Sequence, residues 1–117
     1  MTPNMYLDII EGVATGINSG PQGLPQDYQL LPNFPNPLNP STTIQYRLPN
    51  SASVTVKIYD ALGKEIQTLV NEYQPAGLQT TVWNGTNFRG EPSPSGVYLY
   101  QLTANDFVES RRMTLLR

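Results

Sequence analysis

The sequence contains neither cysteine nor histidine. Without cysteine, the chain can form no disulfide, no thiolate metal site and no cysteine nucleophile. Without histidine, it lacks the commonest general base and the commonest protein metal ligand. Its serine hydroxyls therefore have no imidazole to activate them for nucleophilic attack. These two absences argue against most classes of enzyme and metalloprotein, and we expect no catalytic activity, no cofactor and no bound metal.

Charged residues are also scarce. They make up 14% of the 117 residues, with nine acids, seven bases and a net charge of −2, whereas about 25% is usual in a globular domain. The bases are scattered and form no basic stripe of the kind that binds nucleic acid. No apolar run approaches the ~20 residues of a membrane span. The first residues lack the charged and apolar regions of a signal peptide, so we expect any export signal to lie in an upstream part of a larger protein.

Turn-forming residues, in contrast, are abundant, with 11 prolines and 9 glycines. Three of the prolines lie in the segment 33–40, Asn-Phe-Pro-Asn-Pro-Leu-Asn-Pro, which we call the lead-in. Each proline fixes its own φ angle, removes one N–H donor and disfavours a helical conformation at the residue before it. Asparagine side chains can bond their own backbone and hold turns. We therefore expect the lead-in to be a stiff, extended, turn-bearing segment that introduces the strands beginning near Thr43.

Composition divides the chain into three parts. Residues 14–32 are rich in Gly, Pro, Ser, Asn and Gln, as linkers are. Residues 1–32 carry three acids and no base, whereas residues 33–117 carry six acids and seven bases. The apolar run at residues 6–13 predicts either the last strand of an upstream domain, which we favour, or an extra strand on an edge of the following sheet. The predicted organisation is thus a tail at 1–13, a linker at 14–32 and a domain at 33–117.

From Thr43 onward, the hydrophobic period is two, which predicts strands. The predicted strands cover residues 43–48, 54–59, 65–70, 78–83, 96–102 and 107–116. We expect a bulge beside Leu69, an inward-facing Trp83, and turns at Asp60–Gly63, with Gly63 at positive φ, and at Asn105-Asp106. The strand from Gly96 is apolar on both faces, which is typical of a central strand. Six such strands without any helical period predict an all-β sandwich.

Three functional sites can be imagined in this sandwich, and we favour none of them. The loop from Asn84 to Gly90 could hold calcium, but it offers amides and no carboxylate before Glu91, whereas calcium prefers several carboxylate oxygens. The six acids of residues 33–117 lie mostly at turns, where paired carboxylates for hydrolysis do not converge. A sugar-stacking platform could be formed by four aromatic residues, but in a small sandwich aromatic residues mostly build the core; these are Tyr59, Trp83, Tyr98 and Tyr100.

The residues from 33 to the end resemble the type A C-terminal sorting domain of the type IX secretion system. The lead-in with Ser41–Ile44 is similar to the opening of that family, YPNPFNPSTTI. Five further blocks follow in the same order: Tyr59–Glu65, Pro75–Gly77, Trp83–Gly85, Ser95–Tyr98 and Arg112–Arg117. The resemblance implies an immunoglobulin-like antiparallel β-sandwich of about six to seven strands.

The resemblance also implies a function and partners. A domain of this kind directs an upstream passenger in the same chain through the outer membrane, by way of the periplasm, to the cell surface or the medium. Its partners would be the type IX translocation machinery and a sortase-like cell-surface protease, and we expect it to be a monomer. Any cleavage is expected in the linker, within Ala14–Gln29, and the final strand is expected to be exposed.

Eleven residues are candidates for the sorting motif. They belong to the lead-in, to the Pro-x-Gly-x-Tyr element and to the last strand: Asn36, Pro37, Asn39, Pro40, Pro94, Gly96, Tyr98, Arg111, Arg112, Leu115 and Arg117. Arg112 stands where relatives usually have lysine, and the two cations differ in how they recognise a partner. We expect the last three arginines to form a basic cluster; on sequence alone, these charges could simply guard a sheet edge against aggregation.

Two alternatives to a sorting role stay open. The first is a passive immunoglobulin-like spacer or assembly module, similar to the hook-capping domains that share features with these sequences. The second is a carbohydrate-binding module that would use the aromatic side chains.

Overall fold

The computed structural model describes residues 27–117, which form seven strands. They are β1 (Gln29–Leu30), β2 (Thr42–Leu48), β3 (Ala52–Asp60), β4 (Glu65–Gln74), β5 (Gly77–Trp83), β6 (Gly96–Ala104) and β7 (Phe107–Leu115). The strands make two antiparallel sheets, one in the order β1-β2-β5 and the other in the order β4-β3-β6-β7. The predicted all-β sandwich is confirmed, and β6 is an inner strand of its sheet, as expected. Within residues 27–117, no helix is long and apolar enough to cross a membrane.

The core lies between the two sheets and follows from the alternation in the sequence. In β2, the side chains of Ile44, Tyr46 and Leu48 are fully buried, while the residues between them are more exposed. The inner face of β3 is made by alternate residues in the same way. Each buried apolar side chain contributes about 1.5–3 kcal/mol relative to an exposed one. Trp83 is also fully buried, whereas Val82 beside it is 55% exposed, which confirms the predicted inward tryptophan.

The β3–β4 ladder is interrupted where the apolar pattern predicted a bulge. Val56 pairs with Val70, but Lys57 pairs with Thr68, so Leu69 has no partner across the ladder. An extra residue of this kind keeps the side chains before and after it on their proper faces, although the alternation in the sequence is broken.

Two turns depend on backbone conformations that few residues adopt. Gly63 has φ +87°, and the Asp60 carboxylate accepts hydrogen bonds from the N–H groups of Leu62 and Lys64, both at 2.9 Å. Asn105 has φ +53° in the turn between β6 and β7. Glycine and asparagine are the residues that tolerate this region best, so both predicted turns are confirmed.

The sandwich begins earlier than the sequence predicts. Gln29 and Leu30 pair with β2, although both fall in the predicted linker, and Leu30 is only 1% exposed. The Leu31 carbonyl accepts a hydrogen bond of 2.8 Å from the Tyr100 hydroxyl. The described part of the predicted linker is therefore docked on the sandwich. A strand of two residues has no period that a sequence pattern could reveal. The predicted tail at 1–13 and the rest of the linker, up to residue 26, lie outside the described residues.

The described chain starts and finishes at opposite ends of the sandwich. Tyr28 stacks on Phe107, where β7 begins, with ring centroids 5.3 Å apart, and its hydroxyl accepts a 3.0 Å hydrogen bond from the Asn105 amide. Residues 115–117 lie where β7 finishes. Since a strand rises ~3.4 Å per residue, nine residues separate the two ends by roughly 27 Å. We call them the Tyr28 end and the Arg117 end.

Candidate functional site

The lead-in joins the two sheets at the Arg117 end. Phe34 and Thr43 of β2 exchange backbone hydrogen bonds of 3.0 and 2.8 Å. Four residues later, the Leu38 N–H donates to the Thr114 carbonyl at 2.9 Å, and the Leu116 N–H donates to the Leu38 carbonyl at 3.0 Å. Leu38 runs parallel to β7 here, and its side chain is fully buried. The lead-in therefore passes from one sheet to the other and covers the outer edge of β7 where that strand finishes.

Two asparagines hold the lead-in in place. The Asn36 side-chain oxygen accepts a 3.0 Å hydrogen bond from the Thr114 N–H. The buried Asn33 amide donates to the Thr42 hydroxyl at 3.0 Å, and this hydroxyl donates to the Pro35 carbonyl at 3.0 Å. Buried polar groups need such partners, because an unpaired one costs about 1–3 kcal/mol. Asn39, in contrast, is exposed, and its side chain makes no hydrogen bond to another described residue.

Trp83 and Tyr98 form the inner wall of this end. The Trp83 indole N–H donates to the Thr86 carbonyl at 2.9 Å, and its ring meets the Tyr98 ring edge-on, with centroids 5.2 Å apart. The Tyr98 hydroxyl donates to the Pro94 carbonyl, four residues earlier, at 2.6 Å. Burial raises the pKa of the Tyr98 hydroxyl above its ordinary value. The Pro-x-Gly-x-Tyr element is thus a tyrosine corner that fixes the loop before β6.

Arg117 ties the last residues to two loops. Its backbone N–H donates to the Ser95 hydroxyl at 2.9 Å, its Nε–H to the Ser93 carbonyl at 2.5 Å, and its Nη2 group to the Gly85 carbonyl at 2.6 Å. Hydrogen bonds from a charged donor are worth about 1.5–3 kcal/mol, more than those between neutral groups. Arg117 therefore acts as a clasp that joins the loop at Gly85 to the loop at Ser93 and Ser95.

Two other parts of the chain, at Pro40 and Arg117, come close to the backbone of Gly85. Its φ is +76°, and a Cβ atom placed on it would lie 2.7 Å from the Pro40 carbonyl oxygen and 2.8 Å from Nη2 of Arg117. Only glycine combines this backbone conformation with room for both neighbours. We call the whole assembly the terminal junction: residues 36–40, 83–86, 93–98 and 114–117.

The terminal junction brings together most of the predicted motif residues. Asn36, Pro40, Pro94, Gly96, Tyr98, Leu115 and Arg117 all belong to it. Pro37 and Asn39 belong to it as well, and their side chains are exposed. The final strand is less exposed than expected, because Met113 and Leu115 are buried and the lead-in covers its far edge.

The predicted cluster of three arginines does not form. Arg111 and Arg112 are neighbours on β7, so their side chains point to opposite faces of the sheet. Arg111 reaches across to the first sheet, where its Nε–H donates to the Leu30 carbonyl at 2.8 Å, and it lies 3.8 Å from the Glu109 carboxylate. Arg112 is exposed on the outer face, and Arg117 is held in its clasp. The three arginines of the predicted cluster thus lie at three different places on the domain.

Sequence reasoning missed the contacts that close the junction. The Asn33–Thr42 pair, the Arg117 clasp and the contact between Gly85 and Pro40 all join residues far apart in the sequence. Of these, only Gly85 leaves a local signal, since a glycine that follows a strand often marks a close approach of two backbones.

In the loop that was considered for calcium, the side-chain oxygens are used by the loop itself. In the loop after β5, the Asn87 side-chain oxygen accepts hydrogen bonds from the N–H groups of Arg89 and Glu91 at 2.9 and 3.0 Å, and the Asn84 oxygen accepts one from Thr86. These oxygens hold the loop's own turns. No group of three or more acids that could bind a metal is present in residues 27–117.

Three of the four aromatic residues of the imagined sugar platform build the core instead. Trp83, Tyr98 and Tyr100 are at most 4% exposed, and Tyr59 is half-buried, with its hydroxyl directed to Gln101. A stacking platform needs aromatic faces that a sugar ring can reach, so these residues do not supply one.

Residues 39–106 match the FlgD Ig-like domain family, over more than half of the sequence. This chain belongs to that family. The match starts inside the lead-in and includes the two loops of the terminal junction at residues 83–86 and 93–98, and it ends before β7. No curated protein matches the chain significantly.

Three solved structures resemble this FlgD Ig-like domain. PorU from Porphyromonas gingivalis, solved as a latent dimer, is 25% identical, with a TM-score of 0.62 over 89% of this chain and 10% of PorU. PorZ, an essential bacterial surface component of the type IX secretion system of P. gingivalis, is 22% identical, with a TM-score of 0.53 over 75% of this chain and 11% of PorZ. FlgD from P. aeruginosa is 24% identical, with a TM-score of 0.52 over 63% of this chain and 58% of FlgD.

The likeness to PorZ and FlgD concerns the fold. The chain spans only about a tenth of PorZ and PorU and somewhat more than half of FlgD. The chain is thus a FlgD Ig-like domain whose fold also occurs in a surface component of the type IX secretion system.

Proposed function

We propose that this chain is a C-terminal sorting module, which directs an upstream passenger through type IX secretion to the cell surface or the medium. The module acts by binding: it presents a folded surface to the translocation machinery, and the proposal assigns it no catalytic step. Any removal of the module would be carried out by a sortase-like protease, within residues 14–29.

The observation that carries this proposal is the terminal junction. Five of the six sequence blocks that resemble the sorting family contribute to it or adjoin it, although they are spread from the lead-in to residue 117. A shared sequence pattern whose parts meet at one end of a fold is what a common recognition surface would require. The fold of PorZ, a component of the type IX secretion system, gives independent support.

The placement of the passenger also suits the proposal. The described chain begins at the Tyr28 end, whereas the terminal junction is at the Arg117 end, roughly 27 Å away. A folded passenger attached before residue 27 would therefore leave the junction open to a receptor.

The test is export of a fluorescent reporter fused ahead of residues 1–117, in a host that carries the type IX machinery. Arg112→Ala removes an exposed side chain that makes no hydrogen bond to the described residues, so it should leave the fold intact while it lowers export. Deletion of residues 114–117 should abolish export, but it also removes the buried Leu115. Val54→Ala, a core change near the Tyr28 end, is the matched control for lost stability.

The proposal stands if the Arg112 and deletion variants stay in the periplasm while the Val54→Ala variant, folded at the assay temperature, is exported. It fails if all fusions are exported alike, or if export follows stability alone. The predicted cleavage is tested separately by mass spectrometry of the exported passenger, where a mature C-terminus beyond residue 29 would contradict it.

A second candidate is an immunoglobulin-like spacer or assembly module, and membership of the FlgD Ig-like family favours it. A spacer needs only its fold, so the Arg112→Ala change should then alter neither the position nor the amount of the passenger. The export comparison above therefore separates the two functions.

A further inference from the structure

Among the described residues 27–117, backbone groups without a partner follow one another at a regular spacing along the outer edge of β7. Thr114 directs its N–H and C=O away from β6, because both bond to the lead-in. In an antiparallel ladder, pairs that bond across the ladder alternate with pairs whose backbone groups point away from it. Counting back in twos along the continuous β6–β7 register, the N–H and C=O groups of Arg112, Ser110 and Val108 point to the same open side.

The chain itself already uses this edge. Leu38 lies alongside Leu115 in parallel, donates a backbone hydrogen bond to Thr114 of β7 and accepts one from Leu116, just after β7. The Asn36 side chain accepts a third hydrogen bond, from the Thr114 N–H. On the N-terminal side of Asn36, the lead-in no longer lies alongside β7, because Phe34 pairs with Thr43 of β2 instead. The lead-in therefore begins the pairing of β7, and no residue of the described part of the chain continues it from residue 112 back to residue 108.

The side chains at this open stretch favour a particular partner. Arg112 is exposed and forms no ion pair with any acid of residues 27–117, since Glu109 faces Arg111 on the other side of the sheet. The outward positions of β6 and β7 around it hold no acid: Val97, Leu99, Gln101, Thr103, Val108 and Ser110. Val108 is 57% exposed. The stretch thus offers one free cation beside an uncharged, partly apolar surface.

We propose that residues 108–112 of β7 are a docking edge for an extended, acidic segment of a partner protein, which adds a strand to the four-stranded sheet. Three pairs of backbone groups supply the affinity, and a carboxylate opposite Arg112 supplies the selectivity. This inference rests on the proposed function, since it names how the last strand would be read. A segment of about five residues, roughly 16 Å long, fills the open stretch.

The test uses a change in the backbone that the sheet tolerates. Ser110→Pro removes one outward N–H and leaves every backbone hydrogen bond between β6 and β7 in place, because proline is compatible with an edge position whose N–H faces solvent. It also removes the 3.1 Å hydrogen bond from the Gln101 amide to the Ser110 hydroxyl. Ser110→Ala is the matched control, since it changes the side chain and keeps the N–H. Arg112→Glu reverses the free charge at an exposed position.

The probe is a blocked seven-residue peptide of alternating valine and glutamate, added to isotope-labelled residues 1–117 and followed by NMR. We expect amide shifts at Val108, Ser110 and Arg112, at least tenfold weaker binding to Ser110→Pro, unchanged binding to Ser110→Ala, and at least fivefold weaker binding to Arg112→Glu. The corresponding valine–lysine peptide should bind Arg112→Glu better than the parent chain.

The inference is overturned if the peptide leaves those three amides unchanged, if it shifts the edges of β4 and β5 equally, or if Ser110→Pro binds as the parent chain does. Self-association of Arg112→Glu or Arg112→Ala without any loss of peptide binding would instead make Arg112 a guard against aggregation. If the chain binds the peptide but fails to direct export, the sorting function is rejected and the docking edge stands. If the chain directs export but does not bind the peptide, the docking edge is rejected and the sorting function stands.

Discussion

At the scale of single residues, Gly85 is the most constrained position of the terminal junction. Its left-handed backbone and its two close neighbours, the Pro40 carbonyl and the Arg117 guanidinium, both exclude a side chain. Gly90 offers a matched comparison in the same loop, because its φ is +77° and a Cβ atom there would meet nothing within 4 Å. The two glycines thus share their backbone strain and differ in their contacts.

We expect Gly85→Ala to lower the free energy of unfolding by about 2–4 kcal/mol, from backbone strain together with overpacking. Gly90→Ala should cost only the strain, about 1–2 kcal/mol. Urea denaturation of the two variants measures the difference. An equal loss for both would mean that the junction relaxes at no cost. Adding Arg117→Ala to Gly85→Ala removes the clash with the arginine and keeps the clash with the Pro40 carbonyl. The double variant therefore separates the contributions of the two clashes to the loss of stability.

At the scale of the structural elements, the lead-in contains two asparagines that each precede a proline but differ in their bonding. Asn36 accepts a hydrogen bond from the Thr114 N–H, whereas Asn39 is exposed and bonds to no described residue. The comparison of the two isolates the contact between the lead-in and β7 from the general stiffness of the segment.

We expect Asn36→Ala to destabilise the fold by about 1 kcal/mol and to speed hydrogen exchange at the Thr114 amide. Asn39→Ala should change stability by less than about 0.5 kcal/mol and leave that exchange rate unchanged. Calorimetry and amide exchange measure the two effects. Equal behaviour of both variants would show that Asn36 does not anchor the lead-in.

The elements also show how far the sequence alone could lead. The strands from Thr42 onward were predictable, because alternation, the bulge at Leu69 and the turn residues at Gly63 and Asn105 are local signals. Strand β1 was not, since its burial depends on Tyr100 and Arg111, which lie 69 and 81 residues away from their partners.

In the candidate site too, the sequence could predict some features, whereas others depend on contacts between distant residues. The resemblance named most residues of the terminal junction, but it gave them no contacts. The opposite orientation of Arg111 and Arg112 follows from the two-residue period of a strand, so the expected arginine cluster conflicted with a rule already used for the fold. The clasp of Arg117 on Gly85 and Ser93 depends on two loops whose shapes no local pattern fixes.

At the scale of the whole molecule, buried tyrosines in both sheets make stability depend on alkaline pH. Burial raises the pKa of Tyr46 to about 12, and it also raises the pKa values of Tyr98 and Tyr100. In the unfolded chain, tyrosine ionises near pH 10. Unfolding above that pH therefore releases protons, so stability is constant below pH 10 with respect to these groups and falls between about pH 10 and 12.

We expect Tyr46→Phe to lose about 1 kcal/mol at pH 8, because the hydrogen bond to Gln74 is lost, and to show a shallower fall in stability above pH 10. Tyr73→Phe is the control, since Tyr73 is 71% exposed, and its pH profile should follow that of the parent chain. Melting temperatures from pH 8 to 12 measure both. A Tyr46→Phe profile as steep as that of the parent would contradict the assignment.

The pairing of the lead-in with β7 has a consequence for the order of events during synthesis. It joins residues 78 positions apart, so nearly the whole domain must leave the ribosome before Asn36 can meet Thr114. Contacts of such long range close late, because the intervening chain must first be ordered. A truncated product that stops before β7 could not close the junction. The domain is therefore complete in shape only when translation has passed its last strand, and a receptor that reads the junction would ignore unfinished chains.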